Sequence, residues 1–323
     1  MEAADRGAEP QIREFEPRLE GTVPGWVAEL LGPARLDFDN QRGLSPLRVQ
    51  AGARFCHVST GFGNARAMDI LTFQQRVVES YQSVFQTLSA QAASYPVRFW
   101  AFVPGIHDDL GAGLDRYMAF NAGRYGAYAG RFGRTTALDS LVPTASAVGI
   151  PGNDFVLHCL AADEPGLPVD NPRQIPAYRY SRRFGPMPPC FARATLLRGH
   201  TDEPLLLVGG TASITGEESQ HINDLDEQTR ETLLNLASVV ACSAGSMLPE
   251  SILSERLAPL LAAFQELRVY YTRPGDRPAI LQLVRSRFPS LRGAQLHQAS
   301  LCRQELLIEI EGLALLHRSR SGD

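Results

Sequence analysis

The chain of 323 residues contains no apolar run of about eighteen residues, the length that a membrane-spanning helix needs. Its first residues, Met1 to Asp5, are not a basic head followed by an apolar stretch, so they do not indicate a signal peptide. Hydrophobic residues make up 44% of the chain and charged residues 20%, which is typical of a soluble globular protein. We therefore expect no membrane partner and a cytoplasmic location.

Basic charge, paired cysteines and clustered histidines are also scarce. The formal net charge is −4 and the isoelectric point is near 6.0, whereas nucleic-acid-binding proteins usually carry a basic stripe. The five cysteines are odd in number, far apart and never arranged as Cys-x-x-Cys, which argues against a disulfide framework or a zinc site. The seven histidines are scattered. We expect no nucleic-acid partner, and we assign no metal and no cofactor.

The common nucleotide-binding and nucleophile motifs are missing too. The stretch Gly209-Gly210-Thr211-Ala212-Ser213 has no Gly-Lys-Ser/Thr ending and no Gly-x-Ser-x-Gly pattern. We interpret its glycines as structural, and we predict that the hydroxyl groups of Thr211 and Ser213 line a pocket.

Strand and helix patterns occur twice in the same order. After a weakly patterned lead-in at residues 1–45, residues 46–165 predict strand, helix, strand, helix, strand, strand. Residues 166–189 form a Pro-rich connection, and residues 190–323 repeat the order with a helical insertion at 249–264. The pattern predicts an α+β fold of two tandem units, each a mixed β-sheet with helices packed on one face. A site is expected where the units meet.

The most informative stretch is a predicted strand near the end of the chain. Strict alternation from Leu307 to Leu313 places Glu309 and Glu311 on one face together with leucines. An exposed edge strand would explain these glutamates without any chemistry. However, a carboxyl group among leucines and near the thiol of Cys302 can stay protonated and act as a general acid. Cys302 itself is either a nucleophile or, with no histidine nearby in sequence, a neutral thiol that shapes the pocket.

The segment between the two units is unusually rich in tyrosine and arginine. If residues 177–184 are extended, Tyr178, Tyr180 and Arg182 lie on one side, where they could grip a carboxylate. A solvated strand with arginines reaching into water is the alternative.

Four runs in unbroken order resemble the chorismatase family. They are residues 98–106 (RFWAFVPGI), 113–124 (GLDRYMAFNAGR), 171–183 (NPRQIPAYRYSRR) and 209–214 (GGTASI), and the likeness extends over residues 46–315. Members of this family split chorismate into pyruvate and a benzoate or a cyclohexadiene diol acid. The resemblance implies two tandem units of the Rid/chorismate-mutase type, in agreement with the duplication described above.

The resemblance also implies roles for individual residues. The family's catalytic glutamate matches Glu309, which would donate a proton to the vinyl carbon of the enol ether. The second predicted catalytic residue, Cys302, matches a cysteine of the branch that forms 3-hydroxybenzoate, in which a ring hydroxyl displaces the side chain. Attack by water would instead leave the dihydroxycyclohexadiene carboxylate. The residues that we predict to bind chorismate are Tyr117, Tyr178, Tyr180, Arg182, Arg193, Thr211 and Ser213.

Two other classes of function stay open. Imine deaminases of the Rid type share the Ile-Glu-Ile-Glu strand but pair it with an arginine upstream, at the position of Ala294 here, with Arg292 as the nearest substitute. A non-enzymatic ligand-binding or scaffold protein would have an apolar residue at the position of Glu309. For an enzyme we expect a small-molecule substrate, and we expect a monomer because two fused units can bury what single units bury between subunits.

Overall fold

The structure, a computed structural model, describes residues 9–15, 23–39, 47–133, 141–200 and 203–316. Two units follow each other along the chain, and each combines a mixed β-sheet with helices on one of its faces. This arrangement confirms the predicted α+β class and the predicted duplication. Within the described segments, every helix is too short or too polar to cross a lipid bilayer.

The first unit is built on a six-stranded sheet. Its strands are β2 (Arg35–Asp39), β3 (Leu47–Ala51), β4 (Phe55–Phe62), β5 (Tyr95–Pro104), β6 (Thr144–Ile150) and β7 (Phe155–Ala162). Their order in the sheet is β2-β3-β4-β7-β5-β6, and β5 and β6 run parallel while the other neighbours are antiparallel.

Two long helices, α2 (Ile70–Ser89) and α3 (Arg116–Phe132), cover one face of this sheet. Asp69 caps the N-terminus of α2, since its carboxylate accepts hydrogen bonds from the backbone N–H groups of Leu71 and Thr72 in the first turn. The apolar side chains on the inner face of α2 are buried, as their helical spacing predicts. They are Phe73, Val77, Tyr81, Val84, Phe85 and Leu88. The two helices approach closely at Gly123, where an added Cβ would lie 2.8 Å from the Cβ of Val77. A larger side chain at that position would force the helices apart.

The second unit repeats this plan with a seven-stranded sheet. Its strands are β1 (Gln11–Glu14), β8 (Leu167–Val169), β9 (Ala194–Leu197), β10 (Leu205–Ala212), β13 (Phe264–Tyr271), β14 (Gly293–Gln298) and β15 (Ile308–Leu315). The sheet order is β1-β14-β13-β15-β10-β9-β8. The predicted strand with the two glutamates, β15, therefore lies in the interior of the sheet between β13 and β10. The alternative of an edge strand is wrong.

Helices and a short hairpin accompany the two sheets. The helices of the second unit are α4 (Leu225–Ser243), α5 (Glu250–Glu255), α6 (Leu257–Leu261) and α7 (Arg277–Arg287). A short hairpin pairs β11 (Ile214–Thr215) with β12 (Glu218–Ser219), and helix α1 (Gly25–Leu31) packs against the first unit.

The lead-in and the connection contribute more secondary structure than their sequence patterns indicate. Strands β1 and β2 lie in the lead-in, β8 lies in the connection, and each of them forms an edge of a sheet. Edge strands are short and tolerate charge and proline, which hides the period-two pattern from which strands are recognised.

The segment at residues 177–184 differs from the prediction in conformation. It is not extended, since it forms two 3₁₀ turns, Ala177–Arg179 and Arg182–Phe184. The backbone N–H of Arg179 donates to the carbonyl of Pro176, and the N–H of Ser181 donates to the carboxylate of Glu217 on the loop between β11 and β12. These turn contacts replace the strand geometry that the alternation of tyrosine and arginine suggested.

The faces of the two sheets that carry no long helices point toward each other. One hydrophobic cluster contains Phe102 and Val148 of the first sheet together with Leu207 and Leu313 of the second. The joint is fixed by backbone pairing, since Gly149 and Ser300 exchange two hydrogen bonds of 2.7 and 3.2 Å. The chain is thus a layered body with helices outside, sheets inside, and a junction at the edge strand β6.

Candidate active site

A cleft of about 290 Å³ opens at the junction of the two units. Both units contribute to it: α3 and β6 form one side, and β10, β15 and the loop before β15 form the other. The lining side chains that matter most here are those of Tyr117, Arg124, Ser146, Tyr180, Arg193, Cys302, Arg303 and Glu309. This position agrees with the expectation that a site lies where the two units meet.

Glu309 stands on the inner face of β15, at the floor of the cleft. Its neighbours Ile308 and Ile310 point to the opposite face and pack under the helices of the second unit. The Glu309 side chain is only 4% exposed. Burial, followed by the negative charge of Glu311, raises the pKa of Glu309 to about 8. The carboxyl group is therefore mostly protonated at neutral pH, as a general acid must be.

Strand β10 provides the room for this carboxyl group. An added Cβ on Gly210 would lie 2.0 Å from Oε1 of Glu309, so a larger residue there would push the carboxyl group out of its present position. The register of β10 against β15 shifts between Val208 and Thr211, which inserts an extra residue and pairs Ala212 with Glu309. Without this bulge Thr211 would face the acid. With it, Gly210 and Ala212 line the cleft and Thr211 turns away.

Glu311 occupies a different environment on the same strand face. Its carboxylate accepts hydrogen bonds from Arg98 at 2.7 Å and from the indole N–H of Trp100 at 2.8 Å, and Ser146 donates to it as well. From the second unit, the Tyr270 hydroxyl donates at 3.2 Å, and a guanidinium nitrogen of Arg268 lies 3.7 Å away. Glu311 is thus a buried anion held by donors from both units.

Three guanidinium groups supply positive charge to the cleft. Arg193 is 4% exposed, donates to the Tyr180 hydroxyl at 2.7 Å, and keeps a buried Nε–H without a partner among the described residues. Arg124 is 1% exposed, and its Nε–H likewise has no partner among the described residues. Arg303 lies over the ring of Phe184 at 4.1 Å. Since planar guanidinium groups bind carboxylates through paired hydrogen bonds, the cleft is suited to an anionic ligand.

Cys302 lies beside the acid in the loop before β15. Burial, together with the charge of Glu309, raises the pKa of the Cys302 thiol to about 12. A thiol with this pKa is not a nucleophile at neutral pH, because the thiolate is the reactive form. Of the two predicted alternatives, the geometry favours a neutral thiol that shapes the pocket.

The structure brings five of the nine predicted site residues together. Glu309, Cys302, Tyr117, Tyr180 and Arg193 all line the cleft.

The other four lie outside the lining of the cleft. The hydroxyl of Tyr178 donates to Asp170, and Arg182 is exposed to solvent on the second 3₁₀ turn. The hydroxyl of Thr211 donates to the carbonyl of Gly209, and that of Ser213 donates to the carbonyl of Gln220. For Arg182 and Tyr178 the cause is the turn geometry of residues 177–184. For Thr211 it is the bulge in β10.

Sequence reasoning missed Arg124, Arg303, Ser146 and His107, all of which line the cleft. A signal for the arginines was available in the composition. The chain contains no lysine, so that all 31 basic residues are arginines. Among so many arginines, those that follow an apolar run, as Arg303 follows Leu301 and Cys302, are candidates for partly buried cations.

The position that distinguishes imine deaminases holds no cation. Ala294 is buried on the helix-covered face of the second sheet, and Arg292 points outward to Glu29 at 3.3 Å and Glu266 at 4.0 Å.

No described group of three or more histidine, cysteine or acidic side chains is arranged to hold a metal ion.

The fold and the site define an enzyme that acts on a small molecule and consists of two fused α+β units, with a buried carboxylic acid in the cleft between them. The family profile described as chorismatase FkbO/Hyg5-like, N-terminal, matches residues 48–161. A 3-hydroxybenzoate synthase from Streptomyces hygroscopicus is 32% identical over 240 residues, which are 73% of this chain and 68% of that protein. The chain belongs to the chorismatase family.

Two further relatives agree with this assignment. A chorismatase from Streptomyces hygroscopicus is 29% identical over 261 residues, 78% of this chain and 71% of that protein. The crystal structure of a chorismatase superposes with a TM-score of 0.72 at 25% identity, covering 86% of this chain and 79% of that one.

Proposed function

We propose that the protein cleaves chorismate into pyruvate and 3-hydroxybenzoate, with Glu309 as the proton donor. The observation that carries this proposal is a buried carboxylic acid at the floor of a cleft that is lined by guanidinium groups. The name of the relative from Streptomyces hygroscopicus, a 3-hydroxybenzoate synthase, supports the choice of product.

The first step requires an acid. The enol ether of chorismate becomes reactive when its terminal vinyl carbon takes up a proton, because the ether oxygen then shares the positive charge as an oxocarbenium ion. A carboxyl group with a pKa of about 8 is protonated at neutral pH, yet it is acidic enough to give up this proton. The resulting carboxylate would be compensated by Arg98 and Arg193, the cations whose charges act on Glu309.

The two carboxylates of chorismate need cationic partners. Arg193 and Arg124 each have an Nε–H that is buried without a described partner, and Tyr180 and Tyr117 lie beside them in the lining. A buried donor without a partner is costly, and a bound carboxylate would satisfy it. We therefore assign substrate binding to Arg193, Arg124 and Arg303, with Tyr117 and Tyr180 at their side.

The product depends on which oxygen attacks. If the neighbouring ring hydroxyl displaces the activated ether, its oxygen becomes the phenol oxygen and pyruvate leaves with the ether oxygen, so that no water is consumed. If water attacks, one water is taken up and the dihydroxycyclohexadiene carboxylate is formed. Cys302 favours the first route because a thiol is a poor hydrogen-bonding partner for a water nucleophile.

The test is incubation of the purified protein with chorismate in oxygen-18 water, with lactate dehydrogenase and NADH present to reduce pyruvate before its keto oxygen exchanges. We expect 3-hydroxybenzoate and unlabelled lactate. Glu309→Gln should lose turnover by about a hundredfold or more, the usual scale for an acid catalyst. Release of the diol acid alone would contradict the proposed product, and near-normal turnover of Glu309→Gln would contradict the proposed acid.

We also propose that one chain is the acting unit. The cleft lies between the two units of one chain, and both units contribute to its lining. A sedimentation experiment at the protein concentrations used for activity tests this, since activity confined to a larger species would contradict it.

A further inference from the structure

Glu311 is a buried carboxylate, and the hydrogen bonds of Ser146 show where the protons are. The Ser146 oxygen accepts from Arg98 at 2.6 Å and from the backbone N–H of Gly210 at 2.8 Å. Its single proton is therefore left to be donated to Oε2 of Glu311. The indole N–H of Trp100 is also only a donor, and it points at Oε1. Both oxygens of Glu311 thus receive hydrogen bonds, and neither carries a proton.

Glu309 is in the opposite state, although it is only two residues away on the same strand face. None of the hydrogen bonds among the described residues involves its carboxyl group, which faces the cleft beside Gly210. Because their surroundings differ in this way, Glu309 can act as the acid while Glu311 provides a fixed negative charge. The donors around Glu311 are assembled only when the units dock, because Arg98, Trp100 and Ser146 belong to the first unit and β15 to the second.

We propose that Glu311 is a positioning residue whose fixed negative charge, held between the two units, keeps the Glu309 carboxyl in its neutral, proton-donating form. This inference rests on the proposed function of Glu309 as the proton donor. Glu311 does not line the cleft, so it acts through Glu309 and not on the substrate.

Other charged and titratable groups also face Glu309, and their effects on its protonation must be distinguished from that of Glu311. Arg98 on β5 and Arg193 before β9 favour its ionised form, whereas Glu311 on its own strand opposes it. Cys302 in the preceding loop and Tyr117 on α3 are neutral neighbours with raised pKa values. Among the charged groups of the described residues that act on Glu309, Glu311 is thus the one that favours the acid form.

The decisive variant is Glu311→Gln, which removes the charge and keeps the shape. Side chains two apart on a strand face are separated by about 7 Å, and at an effective dielectric constant of about 20 one charge at that distance shifts a pKa by about one to two units. The high-pH limb of kcat/KM, which reports the free enzyme, should move to lower pH by this amount. At pH 5.5 the activity should stay close to that of the wild type.

A merely structural role predicts a different result. If Glu311 only held the units together, Glu311→Gln would lower kcat/KM by the same factor at every pH, and the limb would stay in place. Such a result overturns the proposal. Tyr270→Phe is the matched control, because it removes one donor to Glu311 without changing any charge. Its high-pH limb should coincide with that of the wild type.

A titration without substrate separates this inference from the proposed function. In protein with ¹³C-labelled glutamate side chains, NMR should show the Glu309 carboxyl titrating near pH 8, with Glu309→Gln identifying its signal. In Glu311→Gln this midpoint should fall. If the Glu309 midpoint falls in Glu311→Gln but the wild-type protein leaves chorismate intact, only the proposed function is refuted. If the wild-type protein cleaves chorismate but the midpoint does not move in Glu311→Gln, the role of Glu311 is refuted.

The wild-type protein alone also tests the proposal, which matters if Glu311→Gln fails to fold. The Glu311 signal, assigned by through-bond correlation, should have the chemical shift of an ionised carboxylate at pH 7, because only donors are aimed at its two oxygens. A protonated Glu311 at pH 7 would overturn the proposal.

Discussion

Replacing Glu309 with glutamine should make the folded protein more stable at neutral pH while it removes the proton donor. The side chain is buried, and its pKa in the folded protein is about 8, compared with an ordinary value of 4.5. Between these two values an unfolded chain releases the proton and the folded chain must keep it. This difference lowers the free energy of unfolding of the wild type. Glutamine has the same shape and no proton to release, so it does not cause this loss of stability.

The size of the effect follows from the two pKa values. Below pH 4.5 the acid is protonated in both states, and its contribution to stability is fully present. As the pH rises toward 8, the free energy of unfolding falls by about 1.4 kcal/mol for each pH unit. At pH 7 the wild type should therefore be about 3 kcal/mol less stable than Glu309→Gln. Above pH 8 the difference should stop growing.

Urea denaturation at several pH values measures this difference. The fluorescence of the two tryptophans, Trp26 and Trp100, reports unfolding because both are buried. Glu255→Gln, an exposed change on α5, is the control and should follow the pH dependence of the wild type. If Glu309→Gln and the wild type showed the same dependence on pH from 5 to 8, the assignment of a neutral buried acid would be refuted.

Three further predictions concern the cleft. Arg193→Ala should raise KM for chorismate by about ten- to a hundredfold, because that factor corresponds to the free energy of a hydrogen bond to a charged group. Arg182→Ala, at an exposed position, should leave KM unchanged, and equal effects of the two substitutions would contradict the assignment of Arg193. Gly210→Ala should reduce kcat sharply with the fold retained by circular dichroism, because its Cβ would meet the Glu309 carboxyl at 2.0 Å, and full activity would show that the acid can move aside. Cys302→Ser should raise the fraction of diol acid measured by mass spectrometry, because a hydroxyl group orients water better than a thiol, and an unchanged product ratio would argue against control by Cys302.

The site elements that the sequence predicted best depend on local patterns. Alternation along β15 predicted the common face of Glu309 and Glu311, because a strand's side-chain direction has a fixed period of two. The apolar stripe of α2 likewise depends on neighbours within a few residues. Such features need no knowledge of the tertiary structure.

The errors have a shared cause in contacts between distant residues. The bulge in β10 reverses the direction of Thr211, and it is visible only when β10 is paired with β15. Residues 177–184 turn because Ser181 is held by Glu217 from the β11–β12 loop, so that Arg182 leaves the side on which Tyr180 lies. Arg98 and Glu311, which are 213 positions apart, form a buried ion pair that no local pattern indicates.

The pairing of β1 with β14 has a consequence for biosynthesis. Strand β1 leaves the ribosome long before β14, yet it runs parallel to β14 at the edge of the second sheet, and Phe15 just beyond it lies 4.1 Å over the guanidinium of Arg268. Domains fold as units during translation, so the first unit can fold while β1 is still unpaired because β14 has not been synthesised. Pairing between such distant segments is slow. Because Glu309, the proposed acid, lies on β15, which is made after β14, we expect the nascent chain to be inactive until β15 has emerged.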